Sequence, residues 1–345
     1  ARHGAVLMTL DAAGEGSLAD ACAAASDAFD VVPRAPDDLA ALLYTSGTTG
    51  RAKGAMLSHA NLLSNATTLA EAWRFGPRDV LLHALPIFHT HGLFVATNVT
   101  LAAGASMVFL PGFDLEAILH WLPRCTSLMG VPTFYTRLLA DPRLDRARVA
   151  NVRLFVSGSA PLLAQTHVDF EARTGHRILE RYGMTETNMN TSNPYDGERR
   201  AGTVGLPLPG VRVQVLDAAT GEVLAPGQPG IVAVRGPNVF RGYWNLPDKT
   251  REDLREDGTF LTGDIGVFSD DGYLTLVGRA KDLVITGGFN VYPKEVEEVL
   301  DALPGVLESA VIGVPHPDFG EAVVAVLVPR PGEALDLAAI DAALR

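Results

Sequence analysis

The sequence predicts an α/β protein with a large N-terminal domain of α/β sheets, a β-rich subdomain and a small C-terminal α+β domain. Between residues 39 and 174, short apolar runs alternate with helical stretches, which is typical of a largely parallel sheet with helices on both faces. From about residue 203 to 278, Gly and Pro turns separate short β-branched runs. We expect the large domain to cover residues 1–278 and a mobile C-terminal domain to cover residues 279–345.

The first elements surround a Gly/Thr-rich loop. The Ala-rich stretch 18–30 predicts a short helix, which the PRAPDD segment at 33–38 ends. LAALLY at 39–44 has the length and apolarity of a strand. After the loop, Ser58 is a predicted helix N-cap, and apolar residues at three- and four-residue steps give the next helix one buried face. The predicted order is therefore strand, loop, helix.

Strands and helices then alternate up to residue 174 of the large domain. The remaining strands predicted there from apolar runs are 80–86, 106–111, 126–132 and 152–158. The helical stretches between them are 114–122, 133–140 and 161–174. In the C-terminal part, Pro293 opens a predicted helix that reaches residue 303. Two apolar strands, SAVIGV and AVVAVLV, follow it, and residues 335–345 begin another helix.

Composition limits the classes of function. With 47% hydrophobic and 20% charged residues, the chain is an ordinary globular sequence. The net charge of −12 argues against broad attraction to nucleic acid or to an anionic membrane. Cys22 and Cys125 fit neither a disulfide framework nor a zinc site, and no secretory signal or membrane-spanning run is present. We expect a cytoplasmic protein without nucleic-acid or membrane partners, and the oligomeric state stays open.

The loop YTSGTTGRAKG at 44–54 has the chemistry of a phosphate cradle. Its glycines let backbone N–H groups turn toward an anion, its hydroxyls offer donors, and Lys53 supplies a positive charge. It differs from the P-loop of kinases and GTPases, which requires Gly-Lys followed by Ser or Thr, because Gly54 follows Lys53. A flexible polar turn is the alternative. The loop by itself names no reaction.

A series of motifs resembles those of the adenylate-forming superfamily, which includes acyl-CoA synthetases, luciferases and the adenylation domains of peptide synthetases. The motifs are YTSGTTGRAKG, LPIFHTHG, SGSAPL, RYGMTE, TGD, GRAKD and GGFNVYPKEVE. Within the superfamily, the segments ERYGMTETNMNTSNPYDGERR, VRGPNVFRGYWN and KDLVITGGFNVYPKEVE are similar to the malonyl-CoA synthetase family.

The resemblance implies an AMP-forming acid–thiol ligase. Its substrates would be malonate, ATP and coenzyme A, with Mg²⁺ as cofactor. A malonyl-adenylate would form first, and the products would be malonyl-CoA, AMP and pyrophosphate. The malonyl-CoA would feed fatty-acid metabolism or polyketide synthesis. Two alternatives stay open: a ligase for methylmalonate or another short carboxylic acid, and a truncated, non-catalytic nucleotide-binding fragment.

The resemblance also implies roles for single residues. Lys53 and the loop would hold the β- and γ-phosphates, Tyr182 would pack against adenine, and Asp264 would bind the ribose hydroxyls. The implied nucleotide-binding residues are Thr45, Ser46, Gly47, Thr48, Thr49, Gly50, Gly158, Ser159, Ala160, Tyr182, Asp264 and Arg279. The implied catalytic residues are Lys53, Thr185, Glu186 and His89. Thr185 would contact the α-phosphate, and Glu186 would be the Mg²⁺ ligand.

The acid substrate requires further residues. His89 and His91 have a spacing that could bind a metal, but no neighbouring Cys or carboxylate completes a ligand set, so we assign His89 to the acyl pocket and His91 to structure. A dicarboxylate also needs a cation for its distal carboxylate. Arg137 and Arg181 are the candidates, and we favour Arg137. The alternative for Arg137 is a charge on the helix surface without a role in the site. Ser157 completes the implied substrate-binding residues.

The C-terminal domain is expected to move between two half-reactions. Gly287 and Gly288 would let the pantetheine arm of coenzyme A pass close to the backbone, and Asp282 would be the hinge. Only residues 1–44 precede the phosphate loop, and the family's late P-x-x-x-x-G-K pattern does not occur after Glu321. We therefore expect both domains to be truncated and the chain as written to adenylate poorly.

Overall fold

The computed structural model describes residues 6–11, 13–45, 52–286 and 289–344. Residues 1–36 and 37–345 are two compact units. In the first unit, helix α1 covers Ser17–Ala24 and is shorter than the predicted helix 18–30. It buries none of its residues, and a helix of this length without a packed face is only marginally stable in water.

The second unit contains the other elements. Its strands are β1 (Leu39–Thr45), β2 (Lys53–Ser58), β3 (Val80–His83), β4 (Ser106–Phe109), β5 (Ser127–Gly130), β6 (Leu154–Ser157), β7 (Leu179–Met184), β8 (Asn188–Ser192), β9 (Leu206–Pro207), β10 (Arg212–Leu216), β11 (Gly230–Arg235), β12 (Phe260–Phe268), β13 (Leu274–Arg279), β14 (Val284–Thr286), β15 (Phe289–Val291), β16 (Val306–His316) and β17 (Gly320–Pro329). Its α-helices are α2 (His59–Ala72), α3 (Asn98–Ala102), α4 (Leu115–Trp121), α5 (Pro132–Leu139), α6 (Ala164–Thr174), α7 (Pro247–Asp253), α8 (Pro293–Asp301) and α9 (Leu337–Ala343). Shorter helical turns are the π-helix His91–Thr97 and the 3-10 turns Leu122–Arg124 and Ala280–Asp282.

The central sheet has the strand order β4-β3-β5-β6-β7-β8-β9. Strands β3 to β7 pair in parallel, and β8 and β9 continue the sheet antiparallel. Every residue of β5 and β6 is buried, as expected for parallel strands covered on both faces. The predicted α/β fold is confirmed. Because Ser157 at the end of β6 lies opposite Glu180 in β7, the segment after β6 lies beside the polar residues of β7.

The predicted order of strand, loop and helix around the Gly/Thr-rich loop is wrong. The loop joins two antiparallel strands, with Thr45 of β1 opposite Lys53 of β2, and α2 begins only after β2. Long-range pairing explains the extra strand, because Met56 N donates to the Gly242 carbonyl at 2.9 Å and Trp244 N donates to the Gly54 carbonyl at 2.8 Å. The predicted helix cap is present: the Ser58 side chain accepts from Asn61 N.

Two smaller sheets follow the central one. Strands β10 to β13 form an antiparallel sheet, which confirms the predicted β-rich region. The C-terminal sheet has the order β15-β14-β17-β16, and α8 packs on β16. The domain division between residues 278 and 279 stays a prediction. Along the described ranges, no helix has both the length and the apolarity that crossing a membrane would need.

A cluster of aromatic rings lies in the core between α5, β6 and α6. The Phe170 ring lies edge-on to Tyr135 at 5.4 Å and to Phe155 at 4.9 Å between centroids. All three side chains are fully buried, and the Tyr135 hydroxyl donates to the Val156 carbonyl at 2.5 Å. The cluster fixes α5 and α6 against the strand that carries Ser157.

Replacing Phe170 tests this packing. We expect Phe170→Ala to lower the free energy of unfolding by about 3–5 kcal/mol, because it removes a large buried side chain and leaves a cavity. Val168→Ala on the same helix is the matched control, since Val168 is 54% exposed, and it should change stability little. Urea unfolding followed by circular dichroism measures both. Equal effects of the two substitutions would contradict the packing described.

Candidate active site

A cavity of about 670 Å³ lies where the carboxyl ends of β6 and β7 meet β13 and the C-terminal sheet. It brings together sequence-predicted residues from positions more than a hundred residues apart. Those that line it are Gly158, Ser159, Ala160, Arg181, Tyr182, Asp264, Arg279 and Asp282. From the C-terminal part, Lys281, Lys294 and Glu297 also contribute to the wall. The cavity wall therefore carries both cations and carboxylates, of which Arg181 and Asp264 are buried and Arg279 and Asp282 are exposed.

Asp264 is the centre of a polar group in this cavity. Its Oδ2 accepts a hydrogen bond from the Tyr182 hydroxyl at 2.5 Å, and its Oδ1 lies 3.0 Å from Arg279 Nε. Asp264 and Arg279 are directly opposite in the β12–β13 register, so the sheet itself sets this pair. Burial raises the pKa of Asp264, while the Tyr182 hydrogen bond and the Arg279 charge oppose the rise. Each carboxylate oxygen keeps a further lone pair for a ligand hydroxyl.

A tight turn between β7 and β8 places the next group. A Cβ at Gly183 would lie 1.8 Å from the Asn188 carbonyl oxygen, so only glycine allows this approach. Asn188 has a φ of 50°, and the pairing shifts register between Tyr182 and Gly183. Thr185 and Glu186 lie in the turn, with Thr185 partly buried and Glu186 buried.

Glu186 and Lys53 meet at the hydroxyl of Tyr243. Tyr243 Oη lies 2.9 Å from Glu186 Oε1 and 3.3 Å from Lys53 Nζ, and the ammonium also lies over the ring, 4.4 Å from its centroid. Asp253 Oδ2 is 3.3 Å from the same hydroxyl and 4.0 Å from Lys53 Nζ. Sequence reasoning missed Tyr243, although it lies in the VRGPNVFRGYWN segment that carried the resemblance.

The electrostatics of this second group follow from burial. Burial raises the pKa of Glu186, and the Tyr243 hydrogen bond and the Lys53 charge lower it in part. Burial and the Glu186 carboxylate raise the pKa of Tyr243, which keeps the phenol protonated as a donor. Glu186 and Tyr182 are four residues apart, so their Cα atoms lie within about 14 Å of each other.

Arg181 is a buried cation in the cavity wall. It is 3% exposed, and its Nε and Nη2 have no hydrogen-bond partner among the described residues. Burial lowers the pKa of Arg181 to about 9. A Cβ at Gly158 would lie 2.3 Å from Arg181 Nη1, so the glycine after β6 makes room for the guanidinium.

Glu180 precedes Arg181 and also lines the cavity. Burial raises the pKa of Glu180 to about 8, against backbone donors from Gly202 and Leu162. His167 Nδ1 is 3.9 Å from Glu180 Oε1, too far for a hydrogen bond. Since burial also lowers the pKa of His167, that imidazole is neutral and does not compensate the carboxylate.

The two histidines of the HTH segment differ in burial. His89 is exposed, whereas His91 is 3% exposed and its Nδ1 lies 3.2 Å from Ser159 Oγ. Burial and repulsion from Arg181 lower the pKa of His91 well below its usual range. Ser159 has a φ of 71°, a strained conformation for a residue other than glycine. His91, which sequence reasoning left to structure, thus contacts a residue of the cavity wall, and the acyl-pocket role of His89 stays a prediction.

Other predicted residues lie outside the described cavity wall. Arg137 is exposed near the end of α5, with its guanidinium 5.3 Å from the centroid of the Phe113 ring. Thr45 ends β1 and Ser157 ends β6, and the hydroxyl of each has no partner among the described residues. The predicted residues Ser46, Gly47, Thr48, Thr49, Gly50, Gly287 and Gly288 lie outside the described residues.

The donors present bear on the implied Mg²⁺. In the described part of the chain, no cluster of three or more His, Cys, Asp or Glu side chains could hold a metal ion. Mg²⁺ in nucleotide sites is commonly bound by one or two carboxylates together with phosphate oxygens and water. Glu186 is buried near the Lys53 ammonium, and its single carboxylate fits that arrangement.

Comparison with known proteins shows the family. Residues 2–244 match the AMP-binding enzyme family, and residues 295–345 match the AMP-binding enzyme C-terminal domain. The chain belongs to the AMP-binding enzyme family, which confirms the predicted adenylate-forming superfamily.

Within the family, the chain is similar to malonate–CoA ligases. It is 62% identical to ATP-bound MatB from Rhodopseudomonas palustris, with a TM-score of 0.95 over 99% of this chain and 68% of that one. It is 40% identical to malonate–CoA ligase of Arabidopsis thaliana over 88% of this chain and 52% of that protein. It is 43% identical to sulfoacetate–CoA ligase of Cupriavidus necator, over 91% and 61% respectively. The chain thus spans about half to three-fifths of these curated relatives.

The buried Glu180 gives a pH-dependent prediction. In the unfolded chain this carboxyl ionises near its ordinary pKa of 4.5, whereas in the fold it keeps its proton to about pH 8. Between those values unfolding releases a proton, so rising pH favours unfolding. We expect Glu180→Gln to gain stability over the unaltered chain as pH rises from about 5 to about 8, by a few kcal/mol.

Urea unfolding at several pH values measures this difference. Glu171→Gln on the exposed side of α6 is the matched control and should show no such growth with pH. A constant difference between Glu180→Gln and the unaltered chain across the window would mean that Glu180 is ionised in the fold.

Proposed function

We propose that the chain is the catalytic part of an AMP-forming acid–thiol ligase that activates malonate with ATP and transfers it to coenzyme A. The proposal rests on the two groups of side chains at the two ends of the β7–β8 turn. Tyr182 with Asp264 suits a nucleoside, and Lys53 with Glu186 suits a metal-bound polyphosphate. Tyr182 and Glu186, which belong to the two groups, are four residues apart, a separation that one nucleoside triphosphate can span, and the family match supports the same class of reaction.

The chemistry has two steps. An oxygen of the acid carboxylate attacks the α-phosphorus of ATP, the bond from that phosphorus to the bridging β-phosphate oxygen breaks, and pyrophosphate leaves. The sulfur of coenzyme A then attacks the acyl carbon, the thiol gives up its proton, and AMP leaves with the former carboxylate oxygen. Both steps depend mainly on positioning and charge stabilisation.

Different residues of the site bind the nucleoside, the phosphates and the metal in this proposal. Tyr182 packs against the adenine, and the free lone pairs of Asp264 accept from the ribose hydroxyls while Arg279 reaches ribose or phosphate. Lys53 neutralises charge on the β- and γ-phosphates, and Thr185 donates to the α-phosphate. When bound, Mg²⁺ screens the charge of the phosphate oxygens and of the pyrophosphate that leaves. Glu186 is the carboxylate that would hold it.

Two arginines support the proposal that the acid substrate has a second anionic group. Arg137 has no carboxylate partner among the described residues and keeps a free fork for a bidentate carboxylate. Arg181 is buried in the cavity wall, and its Nε and Nη2 have no hydrogen-bond partner among the described residues. The named acids of two relatives, malonate and sulfoacetate, share an anionic group one methylene away from the reacting carboxylate. Malonate is therefore the first candidate substrate, and methylmalonate and sulfoacetate are the alternatives.

The C-terminal part supplies the second step in this proposal. Residues 279–345 form the mobile domain, and Asp282, at the end of the 3-10 turn that follows β13, is the hinge. Asp282 is exposed and lines the cavity together with Lys281, so rotation there changes which face of the C-terminal sheet meets the nucleotide. Gly287 and Gly288 then admit the pantetheine arm.

An acid panel tests the function. Pyrophosphate release is measured with ATP, Mg²⁺ and malonate, methylmalonate, sulfoacetate, acetate or a long-chain fatty acid. We expect release with malonate above that with acetate and the fatty acid. Malonate no better than acetate would overturn the malonate assignment, and ATP binding without release for any acid would favour a non-catalytic nucleotide-binding protein.

The role of Arg137 has its own prediction. We expect Arg137→Ala to raise KM for malonate at least about tenfold and to leave KM for ATP nearly unchanged, because it removes one charge-assisted carboxylate contact. Arg173→Ala is the matched control, since both arginines lie in the last turn of a helix. An unchanged KM for malonate would remove Arg137 from the site, and the same measurement on Arg181→Met would test the buried cation instead.

A further inference from the structure

Tyr243 contacts both residues to which the proposed function gives charged roles. Its hydroxyl oxygen lies 3.3 Å from Lys53 Nζ and 2.9 Å from Glu186 Oε1. A phenol has one proton to donate and an oxygen that accepts. Since ammonium can only donate and carboxylate can only accept, Lys53 donates to Tyr243. The Tyr243 hydroxyl donates in turn to carboxylate, with Glu186 Oε1 at 2.9 Å as the nearer acceptor and Asp253 Oδ2 at 3.3 Å as the farther one.

The segment around Tyr243 is fixed to the elements that carry its two partners. Tyr243 forms an isolated β-bridge with Ala55, two residues beyond Lys53. Three residues before Tyr243, Phe240 N donates to the backbone carbonyl of Glu186 at 2.8 Å. The Phe240 and Tyr243 rings also contact each other, with 4.8 Å between centroids. Backbone contacts therefore hold the segment 240–243, which carries the phenol, against both β2 and the β7–β8 turn.

The hydroxyl separates two opposite charges that would otherwise neutralise each other. Among the ion pairs of the described residues, Lys53 pairs with Asp253 at 4.0 Å and not with Glu186. Asp253 is itself held by Lys249, at 2.8 Å. Tyr243 and Glu186 are 3% and 5% exposed, so a direct ion pair there would be weakly screened. Such a pair would occupy the carboxylate and the ammonium needed for metal and phosphate.

We propose that Tyr243 is a positioning residue whose hydroxyl keeps Lys53 and Glu186 apart and oriented, so that one remains available to phosphate and the other to Mg²⁺. This inference rests on the proposed function. Tyr243 itself touches neither nucleotide nor metal, and it acts through the two residues that do. The consequence is that Mg²⁺ and ATP bind cooperatively only while the hydroxyl is present.

The decisive quantity is the enhancement of ATP binding by Mg²⁺. Isothermal titration calorimetry gives the Kd for ATP with Mg²⁺ and with EDTA, and the ratio of the two is the enhancement. We expect Tyr243→Phe to reduce the enhancement at least about tenfold, as for loss of other residues that orient a metal ligand, while Kd in EDTA changes less. A merely structural loss would weaken both values together.

Tyr273→Phe is the matched control. It also removes a hydroxyl from a buried tyrosine, one that donates to the Glu198 carbonyl at 2.8 Å, but away from Lys53 and Glu186. Its enhancement should equal that of the unaltered chain. If all three proteins show the same enhancement, the inference is overturned and the proposed function stands. If the unaltered chain does not bind ATP, both are overturned.

A second measurement decides the matter if Tyr243→Phe does not fold. 3-Fluorotyrosine placed at position 243 keeps the hydroxyl and reports its surroundings by ¹⁹F NMR. We expect its resonance to move when ATP and Mg²⁺ are added together and to move less with ATP in EDTA. A resonance that ATP with Mg²⁺ leaves in place would overturn the inference.

Discussion

The close approach of Gly183 to the Asn188 carbonyl is the constraint on which the rest of the site depends. A side chain at position 183 would collide with that oxygen at 1.8 Å, so the turn from β7 to β8 can be this tight only with glycine. Tyr182 on one side of the glycine reaches Asp264, and Glu186 on the other side reaches Tyr243. One turn of backbone thus sets the separation between a group suited to a nucleoside and a group suited to a polyphosphate.

Burying ionisable groups at the site is costly to the fold, and an anionic ligand would offset part of that cost. Arg181 is buried without a partner for two of its nitrogens among the described residues, and Glu180 beside it keeps its proton to about pH 8 because of burial. Burying unpaired ionisable groups destabilises a protein. An anionic substrate would satisfy the unpartnered nitrogens of Arg181, so the net charge of −12 does not argue against an anionic ligand in this cavity.

The sequence predicted the fold class but not the contacts that build the site. The α/β class followed from the alternation of apolar runs, and the motifs identified Tyr182, Asp264 and Arg279, which the fold brings together. Tyr243 could not be predicted from local patterns, because its hydrogen bonds to Glu186 and Lys53 join residues 57 and 190 positions apart. His91 is buried, whereas His89 is exposed. The sequence does not indicate which of two histidines two residues apart faces the interior. Four of the five residues of strand β8, NMNTS, are polar, so an apolar run could not reveal it.

Transfer of oxygen from the acid to AMP is the most direct test of the central claim, that the acid carboxylate attacks the α-phosphorus at this site. Malonate labelled with ¹⁸O in its carboxylates is incubated with ATP, Mg²⁺, coenzyme A and the chain, and AMP is analysed by mass spectrometry. One ¹⁸O per AMP is the predicted result. Unlabelled AMP, or label found in inorganic phosphate alongside ADP, would contradict an adenylate intermediate.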